Sequence, residues 1–138
     1  MNNENLSEKV SVNINTSTLS GIDLLVDNGY YSNRSDFINQ ALREALQKHQ
    51  NTLDRIIESK MKSNDENYNM WFIGVSGLEK QDIESARAEG QKRTIKGYGV
   101  LVIGDEVDEE SLFEVVETIQ VKGKVVCRKS IKEHYGLK

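Results

Sequence analysis

Seven residues near the amino end constrain this chain most. Lys9-Val10-Ser11-Val12-Asn13-Ile14-Asn15 alternates without a slip, with Val10, Val12 and Ile14 on one side and Lys9, Ser11, Asn13 and Asn15 on the other. A period of two over seven residues is the pattern of a half-buried β-strand. The strand stands alone, because the next fifty or so residues read as helix. A lone strand leaves N–H and C=O groups unpaired along both edges. The same strand from a second copy of the chain is the simplest partner. The product is a two-stranded ribbon, apolar below and polar above, of a width that enters a DNA major groove.

The residues that follow supply a base for such a ribbon. Asn15-Thr16-Ser17-Thr18 offers helix caps, and Leu19, Ile22, Leu24, Leu25 and Val26 give a short helix a broad apolar face. Asn28-Gly29 predicts its end, since glycine takes the left-handed conformation past the last turn. Ser32 is the expected cap of a second helix. Asp36 suits its positive end, and Phe37, Ile38, Ala41, Leu42, Ala45 and Leu46 form its apolar face.

Strand, short helix, glycine turn and longer helix, with the entry Gly29-Tyr30-Tyr31-Ser32-Asn33-Arg34-Ser35-Asp36-Phe37-Ile38 and Ala41-Leu42 beyond it, resemble the ribbon-helix-helix DNA-binding proteins, the family of Arc-, MetJ- and CopG-type repressors. The resemblance covers residues 9–48. It implies an intertwined homodimer whose core includes Val10, Val12, Ile14, Leu25, Phe37, Ile38 and Leu42. It also implies double-stranded DNA as partner. Lys9, Ser11 and Asn13 are the expected base-reading residues: Lys9 toward guanine, Asn13 bidentate to adenine, Ser11 less selective. Ser32, Asn33 and Arg34 are the expected phosphate-binding residues at a helix amino end. The plainer readings are a solvated edge strand, an ordinary cap, and an ion pair of Arg34 with Asp36 or Asp27.

Charge sets a limit on this reading. The whole chain carries −4. Residues 1–50 hold four basic residues (Lys9, Arg34, Arg43, Lys48) against six acidic ones (Glu4, Glu8, Asp23, Asp27, Asp36, Glu44), a net of −2. Non-specific DNA affinity is therefore expected to be low, and grip to come from several dimers side by side.

Residues 1–8 are expected to form a flexible arm, 9–50 the DNA-binding and dimerisation domain, and 51–67 a helical connector. No Gly or Pro occurs between Tyr31 and Phe72, and Leu42, Leu46, His49, Leu53, Ile56, Ile57 and Met61 continue an apolar stripe. The second helix either runs on to about Lys62 or breaks near Gln50-Asn51-Thr52. Polar Lys62–Asn67 reads as a linker.

Residues 68–138 read as a small α/β domain, which makes the whole fold class α+β. Strands are expected at Tyr68–Val75, Gly99–Ile103 and Lys124–Cys127. Helices are expected at Lys80–Glu89, at Asp108–Ile119 with Asp108 as cap, and a last turn at Ser130–Tyr135. Two units, Phe72-Ile73-Gly74 to Ile95-Lys96-Gly97 and Val102-Ile103-Gly104 to Val121-Lys122-Gly123, hint at repeated strand–helix units. The competing architecture is a ferredoxin-like ligand-binding domain.

The chemistry expected of this half is assembly or partner binding. Two histidines and one cysteine, with Cys127 and His134 seven apart, are a poor supply of metal ligands. No nucleophile–base pair and no phosphate loop is visible, so neither enzyme activity nor a cofactor is expected. The acidic run Asp105–Glu110 reads as a solvated helix start. A lone cysteine and no membrane-length apolar run fit a cytoplasmic protein. The leading function is a sequence-specific repressor, autoregulatory or plasmid- or phage-borne, whose residues 68–138 build dimers into arrays or bind a protein. The alternatives are an antitoxin, or a plasmid partition or transfer accessory protein.

Overall fold

The computed structural model describes residues 7–66 and 69–138. Residues 1–6 of the expected arm, and Asn67 and Tyr68 of the expected linker and strand, lie outside the described residues. The chain divides into two compact units, one of them Ser7–Arg55 and the other taking in Ile56–Lys138.

In the first unit, residues 7–15 join no sheet, and each of them is exposed. The expected strand at Lys9–Asn15 is thus not formed within one chain. The reason is elementary, since a strand is defined by a ladder and a single chain offers this one no second strand. Helix α1 (Thr16–Asp27) begins at Asn15, whose side chain accepts from the Ser17 N–H at 2.8 Å. It ends as expected at Asn28-Gly29, with Gly29 at φ 82°. Tyr30 N–H bonds Leu25 O at 3.0 Å and Gly29 N–H bonds Val26 O at 3.1 Å, the paired bonds of a Schellman stop.

Helix α2 (Arg34–Lys48) starts one residue later than expected. The cap is Asn33, not Ser32. The Asn33 side chain accepts from Asp36 N–H at 2.8 Å, while Ser32 N–H donates to the Asp36 carboxylate at 3.0 Å. Asp36 in the first turn reaches back past the cap, which explains why either Ser32 or Asn33 could be read as the start. The helix breaks at His49, and α3 (Gln50–Glu66) follows. The polar stretch expected to be a linker is helical through Glu66. With neither Gly nor Pro to stop it, the helix continues, and Asn64 Nδ2 donates to Lys60 O at 2.7 Å.

The second unit is a three-stranded parallel sheet in the order β1 (Met70–Leu78), β2 (Arg93–Ile103), β3 (Val116–Val126). Each strand is followed by a helix: α4 (Lys80–Glu89), α5 (Glu109–Val115) and α6 (Lys129–Tyr135). The ferredoxin-like alternative is therefore set aside, because its ββ pairing is absent. Phe72, Ile95, Leu101 and Val125 of the sheet bury with Ile83, Leu112 and Ile131 of the three helices in one cluster. The helices thus cover one face of the sheet.

The helix expected to run to Ile119 stops at Val115. Val116 and Ile119 are both buried, but in a strand. A register shift explains their three-residue spacing: Arg93 pairs with Val116 and Thr94 with Thr118, leaving Glu117 extra. A bulge of this kind mimics a helical period. β3 correspondingly begins at Val116 and not at the expected Lys124, and β2 begins at Arg93 and not at Gly99.

The glycines hold the strands in phase. Gly74 pairs with Gly99 and Gly99 with Gly123, at φ 96°, 121° and 143°. A Cβ on Gly99 would lie 2.1 Å from Gly74 O, and one on Gly123 would lie 2.0 Å from Gly99 O. The two apolar-Lys-Gly triplets of the sequence do not coincide in this register. Gly97 lies opposite Val121, two residues from Gly123.

Candidate nucleic-acid interface

Lys9, Ser11 and Asn13 lie on the extended segment ahead of α1, all exposed. Val10 and Val12, which alternate with them, are 73% and 74% exposed, and Ile14 is 37% exposed. An apolar row this open on a short segment is unfavourable unless something covers it.

The expected core residues tell the same story. Leu25, Phe37 and Ile38 are half-buried, and Leu42 is exposed. Tyr31 packs edge-on against Phe37, with centroids 4.9 Å apart. Among the described residues of this unit only Ile22 is buried. One buried side chain cannot hold a unit of this size together, so its stability must come from elsewhere.

Ser32, Asn33 and Arg34 sit at the junction of the two helices. Asn33 Oδ1 is engaged by Asp36 N–H, and Ser32 N–H donates to the Asp36 carboxylate. The first N–H groups of α2 have no intrahelical partners by the geometry of a helix, and its dipole is positive there. Arg34 is paired, but with neither residue suggested by sequence. Its Nε and Nη2 donate to Asp23 of α1 at 2.7 and 2.8 Å. This hydrogen-bonded cation holds the Asp23 carboxyl below the usual carboxylate range. Arg34 still has donors on Nη1 for a second acceptor. No hydrogen bond or ion pair among the described residues joins the Lys9–Asn13 set to the Ser32–Arg34 set.

Sequence reading missed Asp23 as the partner of Arg34 and Asn33 as the helix cap. The Asp23–Arg34 pair spans eleven residues and a glycine turn, a separation that no helical or strand period marks. Asn33 carried a signal, as an Asn three residues before an acidic residue, but Ser32 competed for it.

His134 and Cys127 have structural settings. His134 stacks on Phe113 at 3.7 Å between centroids. Burial pushes the Cys127 thiol up, away from the reactive thiolate. No three of His, Cys, Asp and Glu are grouped to hold a metal among the described residues. No helix of the described residues is long and apolar enough to cross a membrane.

A family model described as "Ribbon-Helix-Helix transcriptional regulator family" matches residues 5–132. The match reaches far beyond residues 9–48, taking in nearly all of the second unit. No curated protein and no solved structure matches the chain.

Proposed function

Because the chain belongs to the ribbon-helix-helix transcriptional regulator family, we propose that it is a homodimeric, sequence-specific repressor that inserts a two-stranded ribbon into the major groove. The observation that carries this reading is the unpaired segment 7–15, with Val10 and Val12 about three-quarters exposed beside a unit whose single buried side chain is Ile22. Pairing two such segments satisfies the inner backbone edge of each and gives the apolar row a floor made of Leu25, Phe37, Ile38 and Leu42 from both chains.

Lys9, Ser11 and Asn13 then face base edges. The entry to α2 at Ser32, Asn33 and Arg34 faces phosphate, with Arg34 held in place by Asp23. The cytoplasm is the compartment this activity needs.

The second unit supplies assembly. β1 is an edge strand whose nine residues carry no charge, and Ile73 and Val75 on it are 50% and 61% exposed. Native edges are usually guarded by charge or proline, and this one is not. A Cβ on Gly74 would meet nothing within 4 Å in this chain, whereas at Gly99 and Gly123 it would strike the preceding strand. A β3 strand from another dimer would continue the glycine row. Dimers linked this way would sit side by side on neighbouring half-sites, offsetting the acidic first unit.

The test is a gel-shift series on DNA from the protein's own upstream region, carrying one, two or four half-sites. Binding should steepen with half-site number. Equal affinity for random duplex at every length would sink the reading.

A further inference from the structure

The sheet face turned away from α4, α5 and α6 carries a groove beside the end of α3 that DNA reading does not use, where Trp71 is 9% exposed and Tyr98 51%. In register, Trp71, Lys96 and Gln120 lie side by side, and Ile73, Tyr98 and Lys122 form the next row on the same face. The Trp71 and Tyr98 rings lie 6.2 Å apart, tilted by 59°. Lys60, near the end of α3, also lines the groove, an open depression of about 660 Å³.

Its charge is one-sided. Among the described residues three lysines line it and no carboxylate does. Residues 69–138 as a whole hold eleven basic and twelve acidic residues, so the segregation is local. None of Lys60, Lys96 and Lys122 joins an ion pair among the described residues, where six pairs occupy other cations. Three like charges around one groove repel one another, and an anion among them relieves that repulsion. Asn69 Oδ1 is spent on Thr94 N–H at 3.0 Å, which fixes the side chain and leaves its amide N–H groups to donate.

We propose that this groove binds a nucleoside di- or triphosphate, with the base against Trp71 and Tyr98 and the phosphates among Lys60, Lys96 and Lys122. The ligand must be both flat and multiply anionic to use the two halves of the lining. The volume falls in the range of small-molecule sites. No residue of 7–55 takes part, so the inference stands apart from the DNA reading.

Trp71 is the chain's only tryptophan and reports on the groove directly. The full chain is titrated with ATP, GTP, CTP and UTP, with inorganic triphosphate and the free nucleosides as controls. At least one nucleotide should quench Trp71 fluorescence saturably. The K96Q/K122Q double variant should weaken that affinity about tenfold or more while its thermal midpoint stays unchanged. Inorganic triphosphate should displace the nucleotide without quenching, and free nucleosides should give no saturable change. The proposal is overturned if none of the four nucleotides produces a saturable change, or if the double variant binds as the parent does. It is equally overturned if only duplex DNA binding responds to the two lysines, which would make the face a phosphate-backbone contact.

Discussion

Arg34 at the start of α2 grips Asp23 of α1 with two near-parallel hydrogen bonds, Nε to Oδ1 at 2.7 Å and Nη2 to Oδ2 at 2.8 Å. The pair lies on the surface, with 57% and 42% of the two side chains exposed. Its value is therefore in orientation more than in stability. It aims the guanidinium beside the helix entry that is proposed to meet phosphate. Arg34→Ala should weaken binding to all sequences alike and reduce the salt slope by about 1. Asp23→Ala should do less, because it frees the cation without removing it. Salt-titrated gel shifts of both variants check this, and equal losses would mean that Arg34 serves the fold alone.

The same pair sets a pH dependence. Asp23 has its folded value lowered by the Arg34 hydrogen bond. Its contribution is present above the unfolded value, near pH 4, and is lost as pH falls through the lower folded value. The thermal midpoints of the parent and Asp23→Asn should differ at pH 6 and converge on acidification toward pH 3. A gap that is constant with pH would contradict the pairing.

Asn13→Ala should relax sequence preference. A bidentate contact to adenine is worth roughly 1–3 kcal/mol of discrimination, and Ala keeps none of it. Competition binding against a library of single-base operator variants reads this out. An unchanged preference profile would remove Asn13 from the base-reading set.

Gly99→Ala should disrupt the second unit. The added Cβ would lie 2.1 Å from Gly74 O, on a backbone at φ 121°. Strain of that kind costs on the order of 1–3 kcal/mol before the steric term is added. Gly77→Ala on β1, whose Cβ would sit 3.7 Å from Val102 O, is the matched control and should be far milder. Urea unfolding of the two variants separates them.

Tyr135 anchors α6 against the end of α5 and the start of β3, donating to Val116 O at 2.8 Å. Burial pushes its hydroxyl up to about 12. A raised value means that the stabilisation is complete below the unfolded value of about 10. It is lost as pH rises toward 12. Tyr135→Phe should cost about 1 kcal/mol at pH 8, and the gap to the parent should narrow by pH 11. A urea midpoint measured at both values decides it.

Much of this was legible in the residues. The Gly29 stop was legible because a left-handed cap is a local rule, whereas the Lys9–Asn15 alternation marks a strand whose ladder one chain does not supply. Lys80–Glu89 was legible for the same reason, closed by Gly90 at φ 69°. The boundary at Val115 was not. The bulge beside Val116 puts two buried residues three apart in a strand, and periodicity alone assigns that spacing to a helix. The polar end of α3 was misread because composition marks solvent exposure, not the loss of helix. The glycine row was hidden since register is a long-range property, and Gly74, Gly99 and Gly123 meet only after three strands align. The groove was hidden likewise, for Trp71, Lys96 and Lys122 come from three separate strands.

The central claim is that two copies of residues 9–15 pair as a ribbon. The direct measurement is the distance between nitroxide labels at Ser11→Cys in a Cys127→Ser background, taken by electron paramagnetic resonance at a concentration where the chain sediments as more than its 15.7 kDa monomer. Two paired seven-residue strands place the labels within roughly 20 Å of each other. Strong inter-label coupling is expected, disappearing when labelled chain is diluted with unlabelled chain. Labels with no measurable coupling, in a sample that sediments as a dimer, would contradict it.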